Sequence, residues 1–232
     1  MGNRISKTGG YDLKDIEQLF NRLNYKPLNQ SLFTEAITHS SANEKFSYER
    51  IEFLGDSVLQ LISSEKFYRS MPTASEGVLS KTRAAHVSEK PLSCWAKHIG
   101  LGDYILFGKS ELANGGPKKD SILADVVEAI IGAVYLDRGL PAARELIESI
   151  FNYAESCGLT RDFKTDFQEY IQQTGEHDIK YEVLKTEGPP HSPIFFVRLS
   201  VDDKDISQGK GKSKKDAEQQ AARTAMENMK II

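Results

Sequence analysis

Three acids interrupt an apolar run in the first quarter of the chain. In ERIEFLGDSVLQLISS, Glu49, Glu52 and Asp56 stand among Ile51, Phe53, Leu54, Val58 and Leu61. Steps of three and four put the three carboxylates on one face of a helix, where like charges repel. No basic residue lies between Arg50 and Lys66 to offset them. A second pair, Asp125 and Glu128, is three residues apart in SILADVVEAIIGAVYLD, a run too apolar for a solvated helix. Burying a carboxylate without compensation is costly, so two helices of this kind can meet around a cation. Oxygen-only donors suit a hard divalent ion such as Mg²⁺ or Mn²⁺, which uses few carboxylates. Zinc and ferritin-like di-iron sites call for histidine beside the acids, and neither group has one. On spacing alone two readings stand: a divalent-ion site shared by two helices, or two independent solvated acidic faces.

Other residues carry less. Glu76, in PTASEG, pairs with Thr73 as a capping box, which explains it structurally. His39, in ITHSS, reads as a hydrogen-bonded structural residue rather than an acid–base catalyst. Lys210, Lys212, Lys214 and Lys215 fall within six residues that contain no acid. They abut a helix start that Ser213 can cap, where free backbone N–H groups already favour phosphate.

The elements that must position these groups follow from periodicity. From Asp12 to about Tyr153, apolar residues recur at three- and four-residue steps in DIEQLFNRLNY, SLFTEAITHS, ERIEFLGDSVLQLISSEKFY, EGVLSKTRAAHVSEKPLSCWAKHIG, SILADVVEAIIGAVYLDRG and PAARELIESIFNYAES. Pro27, Pro72, GDYILFG and ANGGP separate them, and Gly139 stops a helix before Pro141 opens the next. No helix advertises an exposed apolar stripe. After SCGLTRD the pattern becomes helix (DFKTDFQEYIQQTG), three strands (KYEVLKTEG, SPIFFVRLSV, KDISQG) and an alanine-rich helix (SKKDAEQQAARTAMENM). The expectation is an all-α domain over 1–157 and a small α+β domain, α-β-β-β-α, over 158–232.

The chain has 232 residues, is 39% hydrophobic and carries a net charge of −3. Residues 161–232 hold 12 basic and 13 acidic side chains, so nucleic-acid binding must rest on local patches. Cys94 and Cys157 make no disulfide framework and no C-x-x-C pattern, which favours a reducing compartment. MGNRISKTGGYDL lacks the apolar run of a signal peptide, and no apolar stretch is long enough to span a membrane. The expected setting is cytoplasmic, with no membrane partner.

ERIEFLGDSVL, THSS, EGVLSKTRA and SILADVVEAIIGAVYLD, followed by DFKTDFQEY, GPPH and GKGKSKKDAEQQAA, resemble bacterial ribonuclease III in the family's own domain order. The resemblance implies that Glu52, Asp56, Asp125 and Glu128 form a metal-binding cluster, Glu128 mattering most, with Glu49 and Glu76 as accessory acids. It implies a Mg²⁺-dependent endoribonuclease, Mn²⁺ able to substitute, that acts as a homodimer on double-stranded RNA. Its products would carry 5′-phosphate and 3′-hydroxyl ends with two-nucleotide 3′ overhangs, and its substrates would be ribosomal RNA precursors and some messenger RNAs. Gln168, Glu169 and His191 would enter successive minor grooves beside the four lysines. Two departures are mild: Tyr48 stands where many bacterial relatives have Asn, and Pro190 where Asp or Ala is common. The residues themselves agree with this chemistry, because ions held by carboxylates can activate water without a protein nucleophile, and no nucleophilic triad is evident. The alternatives are a double-stranded-RNA-binding protein that does not cut, disfavoured by the complete acid set, and a small-nucleotide phosphohydrolase, which leaves the lysine segment idle.

Overall fold

The computed structural model describes residues 16–173, 175–189 and 192–231. They form two compact units, the first ending at Thr160 and the second starting at Arg161, three residues beyond the expected boundary. No described helix is long and apolar enough to cross a membrane.

The first unit is all helical: α1 (Ile16–Leu23), α2 (Gln30–Ala36), α3 (Glu49–Ser70), α4 (Glu76–Val87), α5 (Glu89–His98), α6 (Lys109–Ala113) and α7 (Asp120–Ser156), with single 3₁₀ turns at Leu101–Asp103 and Gly116–Lys118. α7 is the axis. Val126, Val127, Ala129, Ile130, Ile131 and Ala133 are all fully buried, as expected of a segment apolar on every side. Gly139 breaks it with φ 76° and ψ −173°, and Pro141 sits in the turn that follows.

The stretch 76–98 is two helices rather than one. Ser88, with φ −71° and ψ 163°, ends α4 and opens α5. Pro91 lies in the first turn of α5, the one place where its missing N–H deprives no helical acceptor. The cap of α4 is Ser75, whose hydroxyl accepts from the Val78 N–H, and not Thr73. Glu76 is therefore the first residue of the helix, not the third.

Two glycines set how closely α3 and α7 approach. A Cβ on Gly55 would stand 1.8 Å from the Glu128 carbonyl oxygen, and one on Gly132 would stand 2.5 Å from that of Ile51. Glycine inside a helix costs about 1 kcal/mol relative to alanine. Here it permits backbone-to-backbone contact at the turn that carries Glu52 and Asp56.

The second unit runs α8 (Phe163–Gln172), β1 (Ile179–Glu187), β2 (Ile194–Val201), β3 (Lys204–Gly211) and α9 (Lys214–Asn228). The antiparallel sheet has the order β1-β2-β3, with a bulge between Val183 and Lys185. Asp202 and Asp203, both at positive φ, make the two-residue turn between β2 and β3, the geometry that matches strand twist. Phe163, Phe167, Leu199, Ala221, Ala222 and Ala225 form its separate core.

Candidate active site

The close crossing of α3 and α7 converts two sequence-distant acidic groups into one. Glu52 and Asp56 lie on α3, Asp125 and Glu128 on α7, all four partly buried. Glu128 is pushed up to about 8 by burial, then by the charges of Asp56, Glu52 and Asp125. Glu52 is pushed up to about 7 by burial, then by Asp125, Glu49 and Asp56. Neither carboxylate has a basic neighbour or a hydrogen-bond donor among the groups that move it. Asp125 is raised by burial and by Glu89, and eased by the nearby Tyr48 hydroxyl and by His39. Asp56 accepts from the Gln60 amide at 3.2 Å.

Carboxylates gathered in this way destabilise one another unless a cation joins them. The donor set is all oxygen, which fits a hard divalent ion. Among the described residues no three acid, histidine or cysteine side chains already converge to coordination distance.

The remaining expected acids divide. Glu49 is exposed at the rim and is felt by Glu52 and Tyr48. Glu76 stands apart: its carboxylate accepts from the Ser80 hydroxyl at 2.7 Å, and it is not among the charges acting on Glu52, Asp125 or Glu128. His39 is held structurally. Its Nδ1 accepts from the Ser41 N–H at 3.0 Å, which places the proton of the neutral ring on Nε2, and the ring packs against Tyr48 and Phe107.

Sequence reading missed Glu89, an acid at the start of α5 that carries no motif, and the roles of Gly55 and Gly132. It also missed an apolar stripe on α3. Phe53, Leu61 and Tyr68 are 78%, 57% and 72% exposed, and Leu61 and Tyr68 border a groove with Leu79 and Arg83 of α4. In an apolar run these three resemble core residues. Their exposure appears only once the opposite face of α3 is seen against α7.

In the second unit, Gln168 and Glu169 are exposed on α8 while Phe163, Phe167 and Ile171 face its core. Lys210, Lys212, Lys214 and Lys215 are exposed around the start of α9, where Ser213 accepts from the Asp216 N–H. Gly209 and Gly211 alternate with the lysines because the strand lies directly on α9. A Cβ at Gly209 would fall 2.3 Å from the Ala217 carbonyl oxygen, and one at Gly211 2.5 Å from the Ala217 nitrogen. His191 and Pro190 lie outside the described residues.

The chain is similar to known proteins over nearly its whole length. Residues 29–154 match the family model described as Ribonuclease-III-like, and residues 163–229 match that of the double-stranded RNA binding motif. It is 42% identical over 222 residues to Ribonuclease 3 of Sulfurovum sp. (strain NBC37-1), covering 94% of this chain and 100% of that protein. It is 44% identical over 228 residues to Ribonuclease 3 of Clostridium tetani (strain Massachusetts / E88), covering 95% and 96%. The solved nuclease domain of ribonuclease III from Campylobacter jejuni matches with a TM-score of 0.59 at 40% identity, covering 60% of this chain and 97% of that one.

Proposed function

Because the chain belongs to the ribonuclease III family, and is thus a metal-dependent endoribonuclease acting on double-stranded RNA, we propose that Glu52, Asp56, Asp125 and Glu128 hold the catalytic Mg²⁺, with Mn²⁺ able to take its place. The observation that carries this is the pair of raised carboxyls, Glu52 and Glu128, crowded by other acids and by no base. Bound divalent ions make water more acidic and stabilise charge on phosphate oxygens. The chain's own part is to present ionised carboxylates on two rigid helices at fixed separation. Glu128, which feels all three other ligands, is the candidate to bridge two ions. Glu49 extends the negative rim. Glu76 acts as an accessory acid outside the four-carboxylate group.

Attack by water on phosphorus with cleavage of the P–O3′ bond and protonation of the departing 3′ oxygen leaves 5′-phosphate and 3′-hydroxyl ends, and the proposed products carry two-nucleotide 3′ overhangs. A homodimer would supply two sites facing one duplex, one for each of the staggered cuts. The exposed stripe of Phe53, Leu61 and Tyr68 supports self-association through α3, and the Campylobacter jejuni domain is described as having a region involved in dimer formation. A monomeric mass at micromolar concentration in sedimentation would contradict it.

The second unit is proposed to grip the duplex. Gln168, Glu169 and His191 would reach 2′-hydroxyls in the minor grooves while Lys210, Lys212, Lys214 and Lys215 meet phosphate, so that A-form shape is recognised rather than sequence. Ribosomal RNA precursors and some messenger RNAs are the proposed substrates, and the cytoplasm the proposed setting.

The test is cleavage of a labelled RNA duplex of about three A-form turns in Mg²⁺, comparing the parent with Glu128→Gln while measuring binding in parallel. Overhanging products from the parent, with binding but no cutting by the variant, are expected. Equal cutting by both proteins would remove Glu128 from the site.

A further inference from the structure

Glu218 lies one turn into α9, four residues after Lys214, and its side chain is only 13% exposed. Its two carboxylate oxygens serve two helices. Oε2 accepts from the Lys164 ammonium of α8 at 2.6 Å, and Oε1 stands 3.9 Å from the Lys214 ammonium. The Lys164 ammonium also lies over the Tyr181 ring of β1, 4.5 Å from its centroid. Gln219 completes the junction through the backbone. Its Oε1 accepts from the Lys164 N–H at 3.3 Å, and its Nε2 donates to Asp162 Oδ1 at 2.7 Å. That same oxygen accepts from the Thr165 N–H at 3.2 Å and caps α8. The start of α8 and the start of α9 are therefore one assembly, tied by consecutive residues of α9.

An exposed ion pair four residues apart on one helix contributes little. Arg223 and Glu227 of α9 make such a pair, at 2.8 Å with the acid 47% exposed. Glu218 differs in two respects: it is largely buried, and its shorter contact crosses to another helix. A largely buried carboxylate needs its partner, so Lys164 is directed inward while the link stands. What the link holds at a fixed separation is the face of α8 that carries Gln168 and Glu169, and the end of α9 that carries Lys214 and Lys215. A-form and B-form duplexes set minor groove and phosphate at different spacings. Two contact elements held rigidly suit one form only.

We propose that Glu218 is a positioning residue for duplex recognition, fixing α8 against the lysine-bearing start of α9 so that both engage an A-form duplex at once. This rests on the reading that α8 meets the minor groove and the lysines meet phosphate. Glu218 itself touches no nucleotide. It acts through Lys164 and Lys214.

The experiment measures the affinity of the full chain for an RNA duplex and for a DNA duplex of matching sequence. Fluorescence anisotropy is followed from low salt upward, with a chelator present so that nothing is cut. Parent, Glu218→Gln, Lys164→Met, Lys214→Ala and Glu227→Gln are compared, each with a melting curve. Glu218→Gln and Lys164→Met are each expected to lower the ratio of RNA to DNA affinity about tenfold, the scale of one lost charge-assisted hydrogen bond. Lys164→Met keeps a stem over Tyr181 and is expected to retain the parent's salt slope, because Lys164 is not on phosphate. Glu227→Gln is expected to bind both duplexes like the parent. Lys214→Ala is expected to lower the salt slope by about one. Should Glu218→Gln fail to fold, Lys164→Met breaks the same link from α8 and decides on the same ratio. If Lys214→Ala lowers the slope and neither link variant moves the ratio, the positioning role is wrong and the gripping role of the lysines survives. If Lys214→Ala leaves the slope unchanged, the phosphate reading fails and takes the proposal with it. A rise in both affinities by one factor in Glu218→Gln would make Glu218 a plain repulsive charge, and an equal fall in both would mean general loosening. Either would overturn the proposal, as would a salt slope lowered by Lys164→Met.

Discussion

Glu128 and Asp137 sit nine residues apart on one helix and meet opposite fates. Burial pushes both carboxyls up. At Asp137 the N–H of Leu28, the hydroxyl of Tyr25, the N–H of Asn29 and the Arg138 guanidinium outweigh it and hold the group below the usual carboxylate range. At Glu128 no donor answers, and Asp56, Glu52 and Asp125 add to the burial, leaving the carboxyl at about 8. Burial alone therefore does not distinguish a structural acid from one proposed to hold an ion. The supply of donors does. Asp137 is satisfied by the chain and ties the segment before α2 to α7, whereas no donor or base is among the groups that act on Glu128, the proposed ion ligand.

The comparison is most sharply tested by neutralising each acid in turn. Glu128→Gln is expected to reduce single-turnover cleavage by about a thousandfold or more, since a charge-stabilising ion contributes several kcal/mol to the barrier, while leaving the fold intact. Asp137→Asn is expected to do the reverse. Cleavage by the folded enzyme persists, and urea denaturation shows a loss of about 2–3 kcal/mol, the scale of hydrogen bonds to a charged group. A variant pair that lost activity and stability in parallel would erase the distinction.

A smaller effect concerns the helix contact that brings the acids together. At Gly55 an added methyl meets backbone, which cannot rotate away, so Gly55→Ala is expected to destabilise the first unit by about 1–3 kcal/mol and to weaken Mn²⁺ binding with it. At Gly77 nothing lies within 4 Å of the added carbon. Gly77→Ala is expected to be neutral or to stabilise by up to about 1 kcal/mol. Paired thermal melts decide the matter, and equal effects at both positions would deny the close approach.

The two acids also predict opposite pH dependences. Glu128 and Glu52 hold protons in the ion-free folded state after the unfolded chain has lost them. Their contribution to stability is complete below the unfolded carboxylate range and is lost as pH rises through about 7 to about 8. Ion-free protein is thus expected to melt progressively lower toward pH 8, and Glu128→Gln to flatten the trend. Asp137 works the other way, its contribution being present above the unfolded carboxylate range and lost as pH falls through its lowered value. Melting curves with a chelator across this range, for parent and both single variants, separate the two.

The smallest effect lies in the second unit, where charge is exposed and screened. Replacing Lys210, Lys212, Lys214 or Lys215 singly by alanine is expected to lower the salt slope of duplex affinity by about one for each phosphate left without its lysine, with little change in melting. A variant that altered cleavage in saturating RNA would not fit a gripping role.

Much of the fold was legible because it is written in local periods. The two classes of domain and the caps at Ser213 and Gly139 follow from residue types within a few positions of one another. The split at Ser88 was hidden because helical spacing continues through 76–98, and only the placement of Pro91 in a first turn reveals the break. The cap at Ser75 was masked by Thr73, an equally good capping residue two positions earlier. Within the site, the residue types and their helical faces could be read, but Glu89 and the isolation of Glu76 could not, since neither depends on spacing along one helix. Phe53 was misleading for a related reason: an aromatic in an apolar run has a core residue's signature, and its 78% exposure depends on which face of α3 the partner helix takes.

The sequence by itself determined which groups exist and which helical face each occupies, because those depend on identity and a period of 3.6 residues. It set the oxygen-only chemistry of the acids and the bare run of lysines beside a helix start. Tertiary structure alone decided that Gly55 and Gly132 let two backbones touch, that Glu128 thereby feels Glu52 and Asp56 of a distant helix, and that Asp137 finds three hydrogen-bond donors. Proton affinities and ion sites depend on distances between residues far apart in the chain, and those distances come into being only when the helices pack.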